Sequence, residues 1–172
     1  LRIQTNGWRR HHGDHRRGLN EILSDLAAAV ACARLRILSK EEVTLECDRG
    51  TPLIDDRLRD AVDLAGARAA LDAVLTDCGL DKDERVMYVL CISEAITNML
   101  LHGGGAGTLR LRQLDDRFRA VLADNGPGFN FVNWIEPPAG DGQASMGYGL
   151  KIILDNLDAV GLHTGDDGTT LL

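Results

Sequence analysis

Near the middle of this 172-residue chain lies the sequence Ser93-Glu94-Ala95-Ile96-Thr97-Asn98-Met99-Leu100-Leu101-His102-Gly103. It ends a dense apolar pattern with helical spacing, which predicts a largely buried helix from about Asp81 to His102. Glu94 and Asn98 are four residues apart, so they lie on one face of that helix. Burying a carboxylate and an amide is costly unless both are paired, so the two residues mark either a functional site or a hydrated edge. An Asn oxygen is a good ligand for Mg²⁺, and a Glu carboxylate can act as a base.

A second polar motif follows the next predicted hairpin. Its returning strand runs from Phe118 to Ala123 and leads into Asp124-Asn125-Gly126-Pro127-Gly128-Phe129. By strand alternation Asp124 shares the apolar face of that strand, where its carboxylate needs a hydrogen-bond donor. The exocyclic amine of adenine is one candidate donor, and the glycines would let a ring approach the backbone. The alternative interpretation is an ordinary β-turn.

A third motif is the glycine pair in Gly147-Tyr148-Gly149-Leu150-Lys151-Ile152, at the start of a predicted helix that ends near Leu157. Free N–H groups at the N-terminus of a helix bind phosphate oxygens, with help from the helix dipole. The motif has neither the Walker A form nor the Rossmann glycine pattern. Taken alone, it does not identify a phosphate site.

The order and spacing of the three motifs resemble those of the GHKL, or Bergerat-fold, ATP-binding family. The resemblance covers about residues 43–172 and includes the final Gly168-Thr169-Thr170 element. Within this family, the residues around Glu94 and Asn98 and the short loop at 125–146 are most similar to those of bacterial anti-sigma-factor kinases and related phosphatase-associated switch domains.

The resemblance implies roles on the phosphate side of an ATP site. Asn98 would ligate Mg²⁺ bound to ATP, and Glu94 would be the general base toward an attacking hydroxyl or water. His102 and Lys151 would make further phosphate contacts. Many relatives carry Arg just before the motif histidine, whereas this chain has Leu101, which removes one phosphate contact.

The resemblance also implies an adenine pocket. Asp124 would accept a hydrogen bond from the adenine amine, and Gly126 and Gly128 would let the base approach. Thr169 or Thr170 would support Asp124 through a hydroxyl group or a water molecule. Backbone amides would be presented to the phosphates by Gly147, Gly149 and Leu150.

The remaining patterns predict the fold. The order of elements is a strand at Val43–Cys47, a turn at Asp48–Pro52, a helix over Asp56–Cys78, the Asp81–His102 helix, a hairpin, a loop, a helix and a final hairpin. This order favours an α+β two-layer sandwich, with helices on one face of a mixed sheet, as in the Bergerat or histidine-kinase-like ATPase fold.

The N-terminal region differs from the rest of the chain. Residues 1–18 have no apolar period, whereas Leu19, Leu23, Leu26, Val30, Ala33 and Ile37 alternate spacings of four and three. This seam predicts an N-terminal helix that either packs on its own domain or serves as a dimerisation or linker helix. We therefore divide the chain into a basic leader and linker helix at 1–40 and an ATP-binding kinase domain at 41–172.

Composition excludes several classes of protein. The net charge is −7, split into +5 over residues 1–40 and −12 over the remainder, and such an acidic body argues against direct nucleic-acid binding. No apolar run reaches the length of a membrane span, and the polar, Arg-rich N-terminus does not resemble a signal peptide. The four cysteines lack CxxC spacing, which predicts reduced thiols in a cytoplasmic protein. His11, His12 and His15 form a cluster in the sequence, but no pattern around them is typical of a metal site.

The family resemblance leads to a functional expectation. The chain would use ATP and Mg²⁺ to phosphorylate Ser or Thr of an antagonist protein in a partner-switching pathway that controls a sigma factor or a phosphatase. Two alternatives remain, namely the catalytic ATP-binding domain of a sensor histidine kinase and a switch that binds ATP without transferring phosphate. A homodimer is a further expectation, based on the short heptad seam.

Overall fold

A computed structural model describes residues 34–128 and 146–172. These residues form four helices, α1 (Lys40–Cys47), α2 (Ala61–Asp77), α3 (Lys82–His102) and α4 (Met146–Asn156). They also form six strands, β1 (Leu35–Ile37), β2 (Thr51–Leu58), β3 (Gly107–Leu114), β4 (Arg117–Asp124), β5 (Val160–Gly165) and β6 (Gly168–Leu171).

All six strands belong to one mixed sheet with the order β1-β5-β6-β4-β3-β2. The β1–β5 pair is parallel, and the other neighbours are antiparallel. The inner face of the sheet carries Leu109, Leu111, Ala120 and Leu122, which pack into one core with the buried residues of α2, α3 and α4. The predicted α+β sandwich is confirmed.

The two long helices begin at acidic caps. The Asp60 side chain accepts hydrogen bonds from the Val62 and Asp63 amides, and the Asp81 side chain accepts one from the Asp83 amide. Between the helices, Gly79 has φ +79°, a conformation that glycine adopts without strain. The helices bury Leu71, Leu75 and Ile96 completely, which fixes α3 and its polar residues against the sheet.

The predicted strand at Val43–Cys47 is wrong, because these residues lie in α1. Ser39 and Glu42 form a capping box in which each side chain accepts a hydrogen bond from the other residue's amide. The short alternating pattern fitted a strand, but the cap starts a helix that has no fully buried residue. The end of α1 lies against the outer face of the sheet, where the Arg119 guanidinium contacts the Glu46 carboxylate at 2.6 Å.

The predicted turn at Asp48–Pro52 is confirmed over residues 48–50, where Gly50 has φ +93°, but Thr51 and Pro52 already belong to β2. The predicted helix start at Asp56 is wrong. Residues 51–58 form β2, whose inner side chains Ile54 and Leu58 are buried against the core. Helix α2 starts only after the Asp60 cap, five residues later than predicted. The charged residues between the buried ones obscured the strand pattern in the sequence. They are accommodated because β2 is an edge strand, which leaves their side chains in solvent.

The N-terminal prediction is tested only at its end. The seam positions from Leu19 to Ala33 lie outside the described residues, whereas Leu35–Ile37, predicted as the end of that helix, forms β1. Backbone pairing with β5 explains the difference, since Val160 donates to the Arg34 carbonyl and Leu38 donates to the Leu162 carbonyl.

The described helices include none with the length and apolar character needed to cross a bilayer. Three cysteines fall within the described residues and are free thiols. Cys91 is buried, Cys47 is half-buried and Cys78 is exposed.

Candidate functional site

The motif residues gather at one end of the sandwich. The C-terminal half of α3 carries Glu94 and Asn98, and the last residue of β4 is Asp124. The first turn of α4 reaches α3, and β6 reaches Asp124 from the neighbouring position in the sheet. Motifs that are distant in sequence are therefore adjacent in the fold.

Asp124 is held in a fixed orientation by the backbone. Its Oδ1 atom accepts hydrogen bonds from the Gly126 amide at 2.9 Å and from the Thr169 amide at 3.1 Å. Burial raises the pKa of the Asp124 carboxyl, while these two amides act in the opposite direction. With both amides on Oδ1, the Oδ2 atom remains as the acceptor for a further donor.

Three glycines surround Asp124 so closely that no side chain would fit. A Cβ atom on Gly103 would overlap the Asp124 carboxylate and lie 2.6 Å from the Met99 carbonyl oxygen. A Cβ atom on Gly126 would lie 2.5 Å from the Gly103 carbonyl carbon, and one on Gly168 would overlap the Asp124 carbonyl oxygen. The helix end, the strand end and the final hairpin thus meet around the Asp124 carboxylate through glycine backbone, with no room for further side chains.

Glu94 and Asn98 face the start of α4. A Cβ atom on Gly149 would lie 3.1 Å from Glu94 Oε2 and 3.4 Å from Asn98 Nδ2, so the α4 backbone packs directly against both side chains. Both residues are half-buried, although their helical neighbours Ala95, Ile96 and Met99 are buried. The polar pair is therefore partly accessible and lies beside the glycine that the sequence assigned to phosphate binding.

His102 and Lys151 lie at the edge of this region. His102 is the last residue of α3 and is half-buried, and burial lowers the pKa of its imidazole, which favours the neutral form. Lys151 is exposed on α4 and forms an ion pair with Asp155 at 3.3 Å. The Lys151 ammonium therefore has a structural partner one turn along its own helix.

Two predicted contacts have a different form in the structure. Thr169 supports Asp124 through its backbone amide, whereas its hydroxyl lies 3.3 Å from the Thr164 hydroxyl. Thr170 is paired with Ala123, so its side chain lies on the opposite face of the sheet from Asp124. The structure therefore adds a main-chain hydrogen bond from Thr169 to Asp124, while support through a threonine hydroxyl or a water molecule stays a prediction.

The whole phosphate motif lies within α4, which begins at Met146. Gly147 lies in the first turn, where the N–H groups have no partner within the helix. Leu150 is only 8% exposed and belongs to the core, and its N–H lies within the hydrogen-bonded ladder of the helix. Leu150 therefore packs in the core and Gly147 has the freer amide, while the phosphate contacts of both stay predictions.

The structure adds two positions that the sequence did not reveal, Thr164 and Gly165 of β5. Gly128 has φ +80°, and its Cβ position would overlap the Gly165 carbonyl oxygen and lie 3.2 Å from the Thr164 hydroxyl. Nothing in the local pattern of β5 distinguishes these residues from an ordinary strand end. Only the sheet order brings them next to the Asp124 motif.

The side chains around Asn98 fit a cation that is bound through a nucleotide better than a metal centre formed by protein ligands alone. Within the described ranges, no group of three His, Cys, Asp or Glu side chains could hold a metal ion. Asn98 offers one amide oxygen, and Mg²⁺ is commonly bound by one or two protein ligands together with substrate phosphates.

Comparison with known proteins gives one finding for this region. The family model for the histidine kinase-like ATPase domain matches residues 58–172, which is more than half of the chain and includes the three motifs and the final Gly168-Thr169-Thr170 element. The curated proteins include no significant match to the chain.

Proposed function

Because the chain belongs to the histidine kinase-like ATPase family, which uses ATP, we propose that it is a regulatory protein kinase that transfers the ATP γ-phosphate to Ser or Thr of a partner protein. The observation that carries the proposal is the contact between the α4 backbone at Gly149 and the side chains of Glu94 and Asn98. This contact joins a candidate base, a candidate cation ligand and a candidate phosphate loop at one place.

Asn98 and Glu94 have separate roles in the proposed reaction. The Asn98 oxygen would hold Mg²⁺, which supplies positive charge against the phosphate oxygens when bound. Glu94 would accept the proton of the attacking hydroxyl, since a carboxylate can act as a general base when it lies within hydrogen-bonding reach. The Gly147 amide at the start of α4 would orient a phosphate group.

Asp124 would select the base of the nucleotide. Its Oδ2 atom accepts a hydrogen bond from an exocyclic amine, which adenine carries and which guanine lacks at the equivalent ring position. The two amides on Oδ1 fix the carboxylate before the nucleotide arrives, so little ordering cost remains at binding. The contacts at Gly103 and Gly126 keep this edge of the pocket free of side chains.

The proposed acceptor is an antagonist protein, whose phosphorylation state would control a sigma factor or a phosphatase. This part rests on the resemblance of the Ser93–Gly103 motif to anti-sigma-factor kinases. The acidic charge of residues 41–172 supports a protein partner rather than a nucleic acid. A homodimer remains part of the proposal.

Thermal unfolding with Mg-ATP tests nucleotide binding. A ligand at about 100 times its dissociation constant stabilises a protein by about 2.7 kcal/mol. Asn98→Ala should reduce this stabilisation in the presence of Mg²⁺, whereas Asn156→Ala, at the far end of α4, should retain it. An unchanged melting temperature on adding Mg-ATP, or equal shifts in wild type and Asn98→Ala, would contradict the assignment.

Incubation with labelled ATP and candidate antagonist proteins tests transfer. We expect acid-stable label on the partner, which Glu94→Gln should abolish while leaving ATP-induced stabilisation in place. Acid-labile label on the chain itself would instead support a histidine kinase. ATP binding without transfer to any candidate would support the non-catalytic switch, and molar mass in solution tests the homodimer.

A further inference from the structure

Helix α3 presents exposed apolar side chains on the face that carries the candidate base Glu94. Val86 and Leu90 precede Glu94 by eight and four residues, and they are 55% and 41% exposed although both are large and apolar. Residues spaced by four along a helix follow one another on one face, so the two side chains lie one and two turns before Glu94. We call Val86 and Leu90 the α3 ridge.

The α3 ridge is acidic at its N-terminal end. Asp83 precedes Leu90 by seven residues, or about two turns, so it lies on the same face of the helix and is exposed. Residues 81–84 carry three acids and one lysine, which gives a net charge of −2. The nearest arginine, Arg85, is already paired with Asp72 at 2.7 Å. A ligand on this face should therefore carry positive charge at that end.

The orientation of the nucleotide in the proposed function indicates the side from which the acceptor approaches. Adenine would lie at Asp124, beside Gly103 at the end of α3, and the phosphates would lie between Asn98 and the start of α4, so the nucleotide runs along α3 towards Glu94. During transfer the serine oxygen bonds to the γ-phosphorus, its proton passes to Glu94, and the bond from that phosphorus to the leaving ADP oxygen breaks. The forming and breaking bonds lie roughly in line. The acceptor therefore approaches from the side away from ADP, over the α3 ridge.

We propose, resting on the proposed kinase function, that the α3 ridge binds an extended segment of the acceptor protein that contains the phosphorylated serine. A helix rises about 1.5 Å per residue, so Leu90 and Val86 lie about 6 Å and about 12 Å before Glu94 along the axis. An extended chain advances about 3.3 Å per residue, so its second and fourth residues from the serine would meet these two side chains. Both positions share a face with the serine and should be apolar. A lysine or arginine one residue further on would reach Asp83.

Continuity with Glu94 favours the acceptor segment over other occupants of the ridge. The serine hydroxyl must lie within hydrogen-bonding reach of the Glu94 carboxylate, so the residues next to the serine pass over the neighbouring turns of α3. Their contact with Val86 and Leu90 removes apolar surface from water, which stabilises the complex. The negative charge of residues 81–84 opposes a nucleic acid at the same place.

Two synthetic peptides of equal composition test the proposal. The first, Lys-Leu-Gln-Leu-Gln-Ser-Gln-Leu-Gln-Leu-Lys, has leucine two and four residues from the serine on both sides, so it fits the ridge in either chain direction. The matched control, Lys-Gln-Leu-Gln-Leu-Ser-Leu-Gln-Leu-Gln-Lys, has leucine one and three residues away. Fluorescence anisotropy with the full chain in the absence of nucleotide should show that the first peptide binds at least about tenfold more tightly, because it buries two apolar contacts on the ridge.

Variants of the chain locate the contact. Leu90→Gln keeps a helix-forming side chain of similar length and should weaken binding of the first peptide about fivefold, without affecting the control peptide. Val86→Thr, which keeps the side-chain shape, should weaken it in the same direction. Leu45→Gln is the matched control, because Leu45 is 72% exposed on α1, away from Glu94, and should leave the preference unchanged.

Equal affinity of the two peptides for wild type would overturn the proposal, as would a preference that survives both Leu90→Gln and Val86→Thr. Loss of the preference in Leu45→Gln would also overturn it, because the peptide would then bind elsewhere. The rise in Tm with Mg-ATP and the transfer of label to antagonist proteins report the proposed function separately. ATP binding and transfer without a peptide preference would refute the ridge alone, whereas a peptide preference without ATP binding would support a peptide-binding ridge and contradict the kinase.

Discussion

Asp124→Asn separates the two tasks of the Asp124 side chain, its hydrogen bonds within the fold and its acceptance of a nucleotide donor. An Asn side chain keeps the Oδ1 acceptor, so the hydrogen bonds from the Gly126 and Thr169 amides can persist. It replaces Oδ2 with an amide NH₂ group, which would then face the adenine amine as a second donor. The unliganded fold should therefore survive, while ATP binding weakens.

The size of the effect follows from the lost hydrogen bond. A hydrogen bond to a charged group contributes about 1.5–3 kcal/mol, so the dissociation constant for ATP should rise about 10- to 150-fold. At an ATP concentration of about 100 wild-type dissociation constants, wild type gains about 2.7 kcal/mol, or about 5–11 °C in Tm. A variant weakened about 100-fold gains about 0.4 kcal/mol, or about 1–2 °C.

Differential scanning calorimetry with and without Mg-ATP measures both quantities. Asp166→Asn is the matched control, because Asp166 is exposed in the β5–β6 turn and should not affect ATP binding. An ATP-induced shift in Asp124→Asn equal to that of wild type would refute the adenine role. A large loss of Tm in the absence of ATP would instead show that the charge of Asp124 is needed for folding.

Three further predictions concern stability, each measured by urea unfolding. Gly103→Ala should lower the free energy of unfolding by several kcal/mol, because its Cβ would overlap the Asp124 carboxylate. Gly66→Ala in α2 should raise it by about 0.5–1 kcal/mol, because no atom lies within 4 Å of that Cβ position. Equal effects of the two substitutions would contradict the packing argument. Burial raises the pKa of Asp124 above its ordinary value of 3.8. The stability of wild type relative to Asp124→Asn should therefore be greatest below pH 3.8 and should fall as the pH rises through the raised pKa. A relative stability that rises with pH would show that the two amide hydrogen bonds outweigh burial. Ser39→Ala removes a capping box and should cost about 0.5–2 kcal/mol, and Ser39→Asp, which restores a cap, should recover most of it.

Sequence reasoning succeeded where one period extended over many residues. The α3 helix has a long apolar pattern and an acidic cap, and its predicted bounds differ from the observed ones by about one residue. The β3–β4 hairpin likewise alternates over two strands around an Asp-Asp turn. In both cases local preference and core packing favour the same structure.

It failed where the pattern was short or where tertiary contacts determined the outcome. Five alternating residues at Val43–Cys47 fitted a strand, but the cap at Ser39 favours a helix. Val62, although apolar, is 78% exposed, since it lies in the first turn of α2. A local sequence pattern does not show which residues of a helix or strand the fold leaves in solvent.

The same limit applies to the candidate site. The resemblance pointed to Asp124 and to a supporting threonine. It could not show that the support is the Thr169 amide, because main-chain hydrogen bonds depend on register and not on side-chain identity. Register also places Thr170 on the other face of the sheet.

The attachment of α1 to the sheet has a consequence for how this domain opens. The helix has no fully buried side chain, and ion pairs such as Glu46–Arg119 and Lys40–Asp167 connect its two ends to the rest of the domain. The exposed Lys40–Asp167 pair weakens as salt concentration rises, and the half-buried Glu46–Arg119 pair is screened less. The apolar packing of α2 and α3 does not weaken with salt. Salt should therefore promote local detachment of α1 well below global unfolding, and limited proteolysis by trypsin at Arg49 should report it while the core remains intact.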